Sequence, residues 1–339
     1  MISTVGASAA PATRSWATSP HPILYLVGRR IALGFLTLWL VSVVIFAATQ
    51  VLPGNAAYAV LGQHATPDRV QALEKQLHLD QPVVAQYWQW ISGILGGELG
   101  NSFANGDSVS KLVAPRIVNS AVIVLLAGVV GTLLGVSLGM LAAFRRDGFI
   151  DTTLSVLALA VTALPEFVVA IGLVMLFASL ALHVLPAVSF IPPGVSPWAQ
   201  PSLLVLPVVT LVIVIVPYIF RMMRAAMIEA LESDYVEMAK LKGVPHWRVL
   251  VMHALPNSIA PTIQVIGLNL LYLAGGIVVV EYVFAFPGLG AGLVDAVSAR
   301  DIPTIQAITL ILAAFYVFMN IATDVVALMA SPRRRLPRS

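Results

Sequence analysis

The chain has 339 residues, of which 59% are hydrophobic and only 10% charged, with a mean hydropathy of +0.92. That leaves too little polar surface to cover a soluble globule of this size, so the composition reads as an integral membrane protein. The absence of cysteine excludes a disulfide framework, a thiolate metal site and a cysteine nucleophile. The net charge of +3 says little until the Lys and Arg residues are placed against the apolar runs.

Residues 1–28 read as a disordered cytoplasmic tail: the first twenty are rich in Ala, Ser, Thr and Pro and hold no apolar run. Ala57-Tyr58-Ala59 mimics a cleavage site, but the apolar run before it is longer than a signal-peptide core, so cleavage is not expected. About 20 apolar residues cross the hydrocarbon as a helix. Six stretches meet that rule: 31–51, 117–144, 152–184, 202–220, 259–280 and 305–328. They are continuously apolar and do not alternate, which excludes a strand barrel and predicts an all-α membrane protein. The chain divides into a first transmembrane helix (29–51), an external cap segment (52–116), a five-helix core (117–330) containing a cytoplasmic loop (228–257), and a basic cytoplasmic tail (331–339). With the N-terminus inside, Arg69, Lys75, Lys111, Arg116 and Arg300 lie outside, and the remaining 14 of the 19 Lys and Arg residues lie inside. The positive-inside rule therefore places both termini in the cytoplasm.

The segment 52–116 is patterned. Thr66-Pro67 caps and opens a short helix with Val70, Leu73 and Leu77 on one face. Gln81-Pro82 opens a second helix with Val84, Tyr87, Trp88 and Ile91, ended by the glycines of Gly96-Gly97-Glu98-Leu99-Gly100. Asn105-Gly106 marks a turn. Tyr87, Trp88 and Trp90 suit the headgroup level, so this segment is expected on the outer leaflet as a small helical cap.

Two motifs are deceptive. Gly135-Val136-Ser137-Leu138-Gly139 matches a serine nucleophile pattern, but that motif needs a strand-to-helix elbow and this one lies within a span. Gly131, Gly135 and Gly139 recur every fourth residue, the spacing of a helix-packing face. Gly288, Gly290 and Gly292 sketch a nucleotide-binding loop with no strand before it, and read as a tight re-entry turn after Pro287. No GxxxxGK[ST] loop or HExxH pair occurs, and the six histidines offer no i, i+4 pair. No metal site and no catalytic residue is assigned. His253, near the start of the fifth span, is read as a structural hydrogen-bonding residue. A membrane-embedded hydrolase using Ser137 is the rival of another class; it needs a His or Lys base at matching depth, and no span offers one.

Two acids fall inside spans. Glu166 follows Pro165 near the middle of the third, and Asp324 lies in the last turns of the sixth. A carboxylate at the bilayer centre costs roughly 2.5–3.5 kcal/mol on insertion scales, so such residues face a partner or a watery path. For Glu166 a pathway role and a structural hydrogen bond both stand open; for Asp324 pairing with cytoplasmic arginines is preferred.

The longest polar island of the second half is 227–263, MIEALESDYVEMAKLKGVPHWRVLVMHALPNSIAPTI. An acidic helix (Glu229, Glu232, Asp234, Glu237) stops at Gly243; Pro245, His246, Trp247 and Arg248 open a short second helix that leads to Leu255-Pro256. Glu237-Met238-Ala239, three residues, Gly243, nine residues and His253-Ala254-Leu255-Pro256 resemble the EAA loop of the inner-membrane permeases of binding-protein-dependent ABC importers. Asp234-Tyr235-Val236, Ala239-Lys240, Lys242-Gly243 and Asn257 resemble the dipeptide and oligopeptide branch. The resemblance extends through Arg29-Arg30, Leu52-Pro53-Gly54, Leu79-Asp80-Gln81-Pro82, Gly97-Glu98-Leu99-Gly100 with Ser102-Phe103, Glu281 to Phe284, Pro287-Gly288-Leu289-Gly290, and Arg300-Asp301 with Pro303. Met238 departs from the alanine of that loop, and Glu166 stands where the family usually has a small or neutral residue.

The resemblance implies the type I ABC importer fold and a permease for dipeptides or oligopeptides in a bacterial plasma membrane. A nickel chelate, haem or other non-peptide cargo is the alternative. It implies as partners a second homologous permease subunit, two nucleotide-binding ATPase subunits, an extracytoplasmic substrate-binding protein, peptide and membrane lipid, but no nucleic acid. No cofactor is implied in this chain, ATP and Mg being bound by the partner subunits. Tyr235, Glu237, Ala239, Lys242, Gly243, His253, Leu255 and Pro256 become the candidate coupling residues, and Glu166, Asn269 and Tyr272 candidates for the translocation path.

Overall fold

The computed structural model describes residues 22–51, 66–68, 70–71, 81–179 and 182–330. Both tails, Leu52-Pro53-Gly54, Ala57-Tyr58-Ala59, Arg69, Leu73, Lys75, Leu77 and Leu79-Asp80 lie outside the described residues. Among those described the chain is helical, with one isolated antiparallel bridge between Asn101 and Ser108.

The helices are α1 (Pro22–Val51), α2 (Val83–Leu95), α3 (Val109–Phe144), α4 (Phe149–Thr162), α5 (Glu166–Val174), α6 (Ser202–Leu231), α7 (Asp234–Leu241), α8 (Leu255–Val283), α9 (Leu289–Ser298) and α10 (Ile302–Ala330). Five helices are long and apolar enough to cross a membrane, and the pair α4–α5 would supply a sixth span. The hydropathy reading predicts one continuous third span; the structure breaks it, with α4 and α5 at 103° to each other. Pro165 has no N–H and disfavours the helical conformation in Leu164, and α5 restarts immediately after it. Pro115 of α3, Pro207 and Pro217 of α6 and Pro261 of α8 lie inside helices that continue unbroken. Ala163, Leu164 and Pro165, between the two helices, are exposed.

α6 is the central element, between α3 and α8, and its other neighbours are α4 and α5. The glycine stripe sets the closest approach. A Cβ on Gly131 would stand 2.4 Å from Ile215, one on Gly135 2.7 Å from Ile219, and one on Gly139 2.8 Å from both Met223 and the Phe220 carbonyl. Small residues at this spacing let two backbones meet without intervening side chains. Ser137 therefore sits on a continuous helix, as the packing reading requires. α1 lies against α10, with Gly34 on Val317 and Ile321 and the buried Gln306 amide donating to Thr49 Oγ1 at 2.8 Å.

The segment between α1 and α3 is tied down. Tyr87 and Trp90 of α2 pack on Phe46 of α1, with ring centroids 5.4 and 5.7 Å away, and Tyr87 shares a 2.9 Å hydrogen bond with Ser42. Trp88 remains exposed. Ser102 Oγ donates to Asp301 Oδ2 at 2.5 Å and the Phe103 amide to Oδ1 at 2.9 Å. Thr304 donates to the same Oδ2 at 2.7 Å, so Asp301 starts α10 and clamps the 100–108 turn together.

Candidate functional site: the loop between α6 and α8

α6 runs eleven residues beyond the predicted 220. Met223, Met227 and Ala230 lie on one stripe and bury against Ala143 and Ala254, so packing carries the helix on after its apolar run ends at Arg221. Ser233, in extended conformation, separates α6 from α7. Asp234 and Glu237 occupy the first turn of α7 and Lys240 the last, each charge opposite to the nearby pole of the helix dipole.

The stop at Gly243 has a defined geometry. Gly243 has φ +75°; its amide donates to the Lys240 carbonyl at 2.9 Å, and the Val244 amide reaches back to Ala239 at 3.2 Å. This is a Schellman cap, which needs a left-handed residue at this point. Its apolar closure is a small core of Val236, Ala239 and Val249, with Leu231 and Val244 against it. The predicted second helix begins as one short α-helical stretch, His246–Arg248, passes into a π-helical stretch, Val249–Ala254, and continues without interruption into α8.

Tyr235 joins the two sides of the loop. Its hydroxyl accepts from Asn257 at 2.8 Å and lies 3.4 Å from the His253 carbonyl, which also accepts from Asn257 at 3.1 Å. The Ser258 hydroxyl, buried, donates to Ala254 at 2.8 Å and lies 3.1 Å from the Ala226 carbonyl of α6. The module is thereby one closed unit between the ends of α6 and α8. Tyr235, Glu237, Lys242, Gly243 and Pro256 face outward, His253 and Leu255 are half-buried, and Ala239 is buried in the module's own core. Met238, Leu241 and Trp247 add exposed apolar surface, Leu241 at 76%.

The three path candidates do not form one group. Glu166, the first residue of α5, leans on α8, where a Cβ on Gly276 would stand 2.6 Å from its Oε2. Tyr272 interacts with Glu166 and also with Tyr218 of α6. Asn269 is instead buried, its amide donating to the Val265 carbonyl of its own helix at 2.8 Å. Asp324 forms an ion pair with Arg30 of α1 at 2.5 Å, the pairing with an N-terminal arginine that its position suggests.

Two polar clusters escape sequence reasoning. At the start of α4 beside the loop, Arg224 of α6 donates from Nε and Nη2 to the two oxygens of buried Asp151, at 2.5 and 2.6 Å, while Arg146 pairs with Glu232. Asp151, in the first turn after Gly148, reads merely as a helix-start acid; its partner lies 73 residues away. At the opposite end, Glu281 is fully buried and accepts from Ser120 at 2.5 Å, from the Gly290 amide at 2.6 Å and from the Ala291 amide at 3.1 Å. The glycines 288–292 thus begin a helix, α9, and are not a bare turn; Asn119 and Arg116 hold the Pro287 and Gly288 carbonyls at 2.9 and 3.1 Å. An acid in the last turn of a span, followed by a run of free amides, is the signal that could have found it.

Residues 135–336 match the family described as binding-protein-dependent transport system inner membrane component, and residues 23–124 match its N-terminal companion. The chain belongs to this family of membrane transport components. It is 35% identical over 91% of its length, and 98% of the relative's, to a Brucella abortus protein named "Putative peptide transport system permease protein". It is 33% identical to a Sinorhizobium fredii protein named "Probable peptide ABC transporter permease protein", covering 91% and 98% of the two chains. A glutathione transport system permease protein of Escherichia coli is 32% identical over 88% of this chain and 95% of its own. Such a component is a multi-pass membrane permease, in agreement with the apolar helices.

Proposed function

We propose that this chain is one transmembrane subunit of an ATP-driven importer of short peptides, with both termini and the α6–α8 loop on the cytoplasmic side. A second homologous permease subunit completes the pathway, an extracytoplasmic binding protein delivers the peptide, and two separate subunits bind ATP and Mg. The peptide class is supported by the names of the relatives, and the orientation by the distribution of Lys and Arg.

The observation that carries the reading is the closed α7 module. It is short, exposes Tyr235, Met238, Leu241 and Trp247, and is continuous with two long helices, α6 and α8. A nucleotide-binding subunit that grips α7 moves both helices together, and those helices flank Glu166 and Tyr272. Ala239, Gly243 and the Tyr235–Asn257–His253 contacts keep the module stiff, while Glu237, Lys242 and the apolar face meet the partner.

Gly243→Val tests this. A β-branched residue disfavours φ +75° by roughly 1–2 kcal/mol, enough to disturb the cap without preventing membrane insertion. The expected result is normal insertion with loss of peptide uptake and of binding-protein-stimulated ATP hydrolysis in proteoliposomes. Normal uptake by this variant would overturn the coupling role.

A further inference from the structure

We infer that Glu166, with the hydroxyl of Tyr272, forms a recognition site for a primary ammonium group, the cation carried by the free N-terminus of a peptide; the inference rests on the peptide reading above.

The chain builds the site and leaves one atom of it unanswered. Glu166 stands where the third span breaks, and its Oε2 is buried with no hydrogen-bond partner. A buried carboxylate oxygen without a partner is costly, and the cost persists only where something else offsets it. The carboxylate is accommodated on purpose of shape: Gly276 offers no side chain where a Cβ would lie 2.6 Å from Oε2, and beside it a Cβ on Gly275 would meet nothing within 4 Å. Tyr272, three residues before Gly275 and four before Gly276, lies on the same stripe of α8. Tyr272 is 49% exposed, so the site opens to the surface of the subunit and is not sealed in its core.

A helix-start acid needs none of this. A carboxylate gains about 0.3–1 kcal/mol from the positive end of a helix wherever it is placed in the first turn, without a glycine cradle or a phenol on a neighbouring helix. Among the described residues no Lys or Arg pairs with Glu166, and the Arg221 guanidinium is held over the Tyr218 ring, 5.4 Å from its centroid. One carboxylate and one phenol supply too few oxygens for a Ca²⁺ cage, which takes about six to eight. They suit an ammonium, whose donors can meet a carboxylate oxygen and a hydroxyl, with the Tyr272 ring face adding cation–π attraction.

The test uses the assembled transporter in proteoliposomes, with saturating binding protein loaded with short alanine peptides. Uptake and ATP hydrolysis are measured for the wild type, Glu166→Gln, Glu166→Asp and Tyr272→Phe. Glu166→Gln is expected to lower uptake at least about tenfold, the scale of one charge-assisted bond, while stimulated ATP hydrolysis continues. Glu166→Asp retains most uptake, and Tyr272→Phe falls between. Wild-type uptake by Glu166→Gln overturns the inference and leaves the peptide reading intact. Parallel loss of uptake and ATP hydrolysis in both the Gln and Asp variants marks a structural residue and also overturns it. A wild-type complex that hydrolyses ATP but carries none of these peptides overturns the peptide reading and this inference with it.

Discussion

Glu281 and Glu166 are both acids in apolar membrane-spanning sequence, and the chain treats them in opposite ways. Glu281 is fully buried and receives three donors, from Ser120, Gly290 and Ala291, which fasten α3, α8 and α9 into one corner. Glu166 lies where a span is broken and keeps an oxygen with no partner. An acid whose donors all come from its own chain belongs to the fold. One that the chain positions but does not satisfy is set aside for a group from elsewhere.

Four single substitutions and one double mutant break or sharpen that contrast. Glu281→Ala strands three donors at about 1–3 kcal/mol each, a loss of roughly 3–9 kcal/mol; the thermal midpoint of the detergent-solubilised chain should fall steeply, and an unchanged midpoint would erase the distinction between the two acids. Asp151→Ala leaves the Arg224 guanidinium without its bidentate partner. Because Arg224 is itself 29% exposed, the loss belongs at the lower end of the buried-pair range, about 3 kcal/mol. Adding Arg224→Met should restore part of it, and a double-mutant cycle measures how much. Gly243→Val should cost only about 1–2 kcal/mol in the same assay, so its effect on ATP-driven uptake would exceed its effect on stability. Glu166→Gln should leave the thermal midpoint within about 0.5 kcal/mol of the wild type. A large destabilisation there would move Glu166 to the structural side of the comparison.

Much of the fold is legible from hydropathy because each span is a continuous apolar run. Its ends are less so: α6 outlasts its apolar run by the stripe Met223, Met227 and Ala230, whose value depends on Ala143 and Ala254 being opposite. The break at Pro165 is half legible. The sequence holds a proline there, but Pro115, Pro207, Pro217 and Pro261 are prolines inside unbroken helices, so the residue type alone does not tell the outcomes apart. In the loop, the Gly243 stop is readable from a glycine after an amphipathic run, since a left-handed cap is a local property. The π-helical entry into α8 and the inward-facing Ala239 are not. Asn269 reads like Tyr272, a polar residue within a span, yet it turns inward to its own helix while Tyr272 reaches Glu166.

By itself the sequence determined that this is an all-helical membrane permease, where its spans lie, and that its polar loop folds around Gly243, because hydropathy and local backbone preference act over a few neighbouring residues. Only the tertiary structure decided which acids are answered. The partners of Asp151, Glu281 and Asp301 lie 73, 161 and 199 residues away, and a charge is stabilised by what packs around it in space.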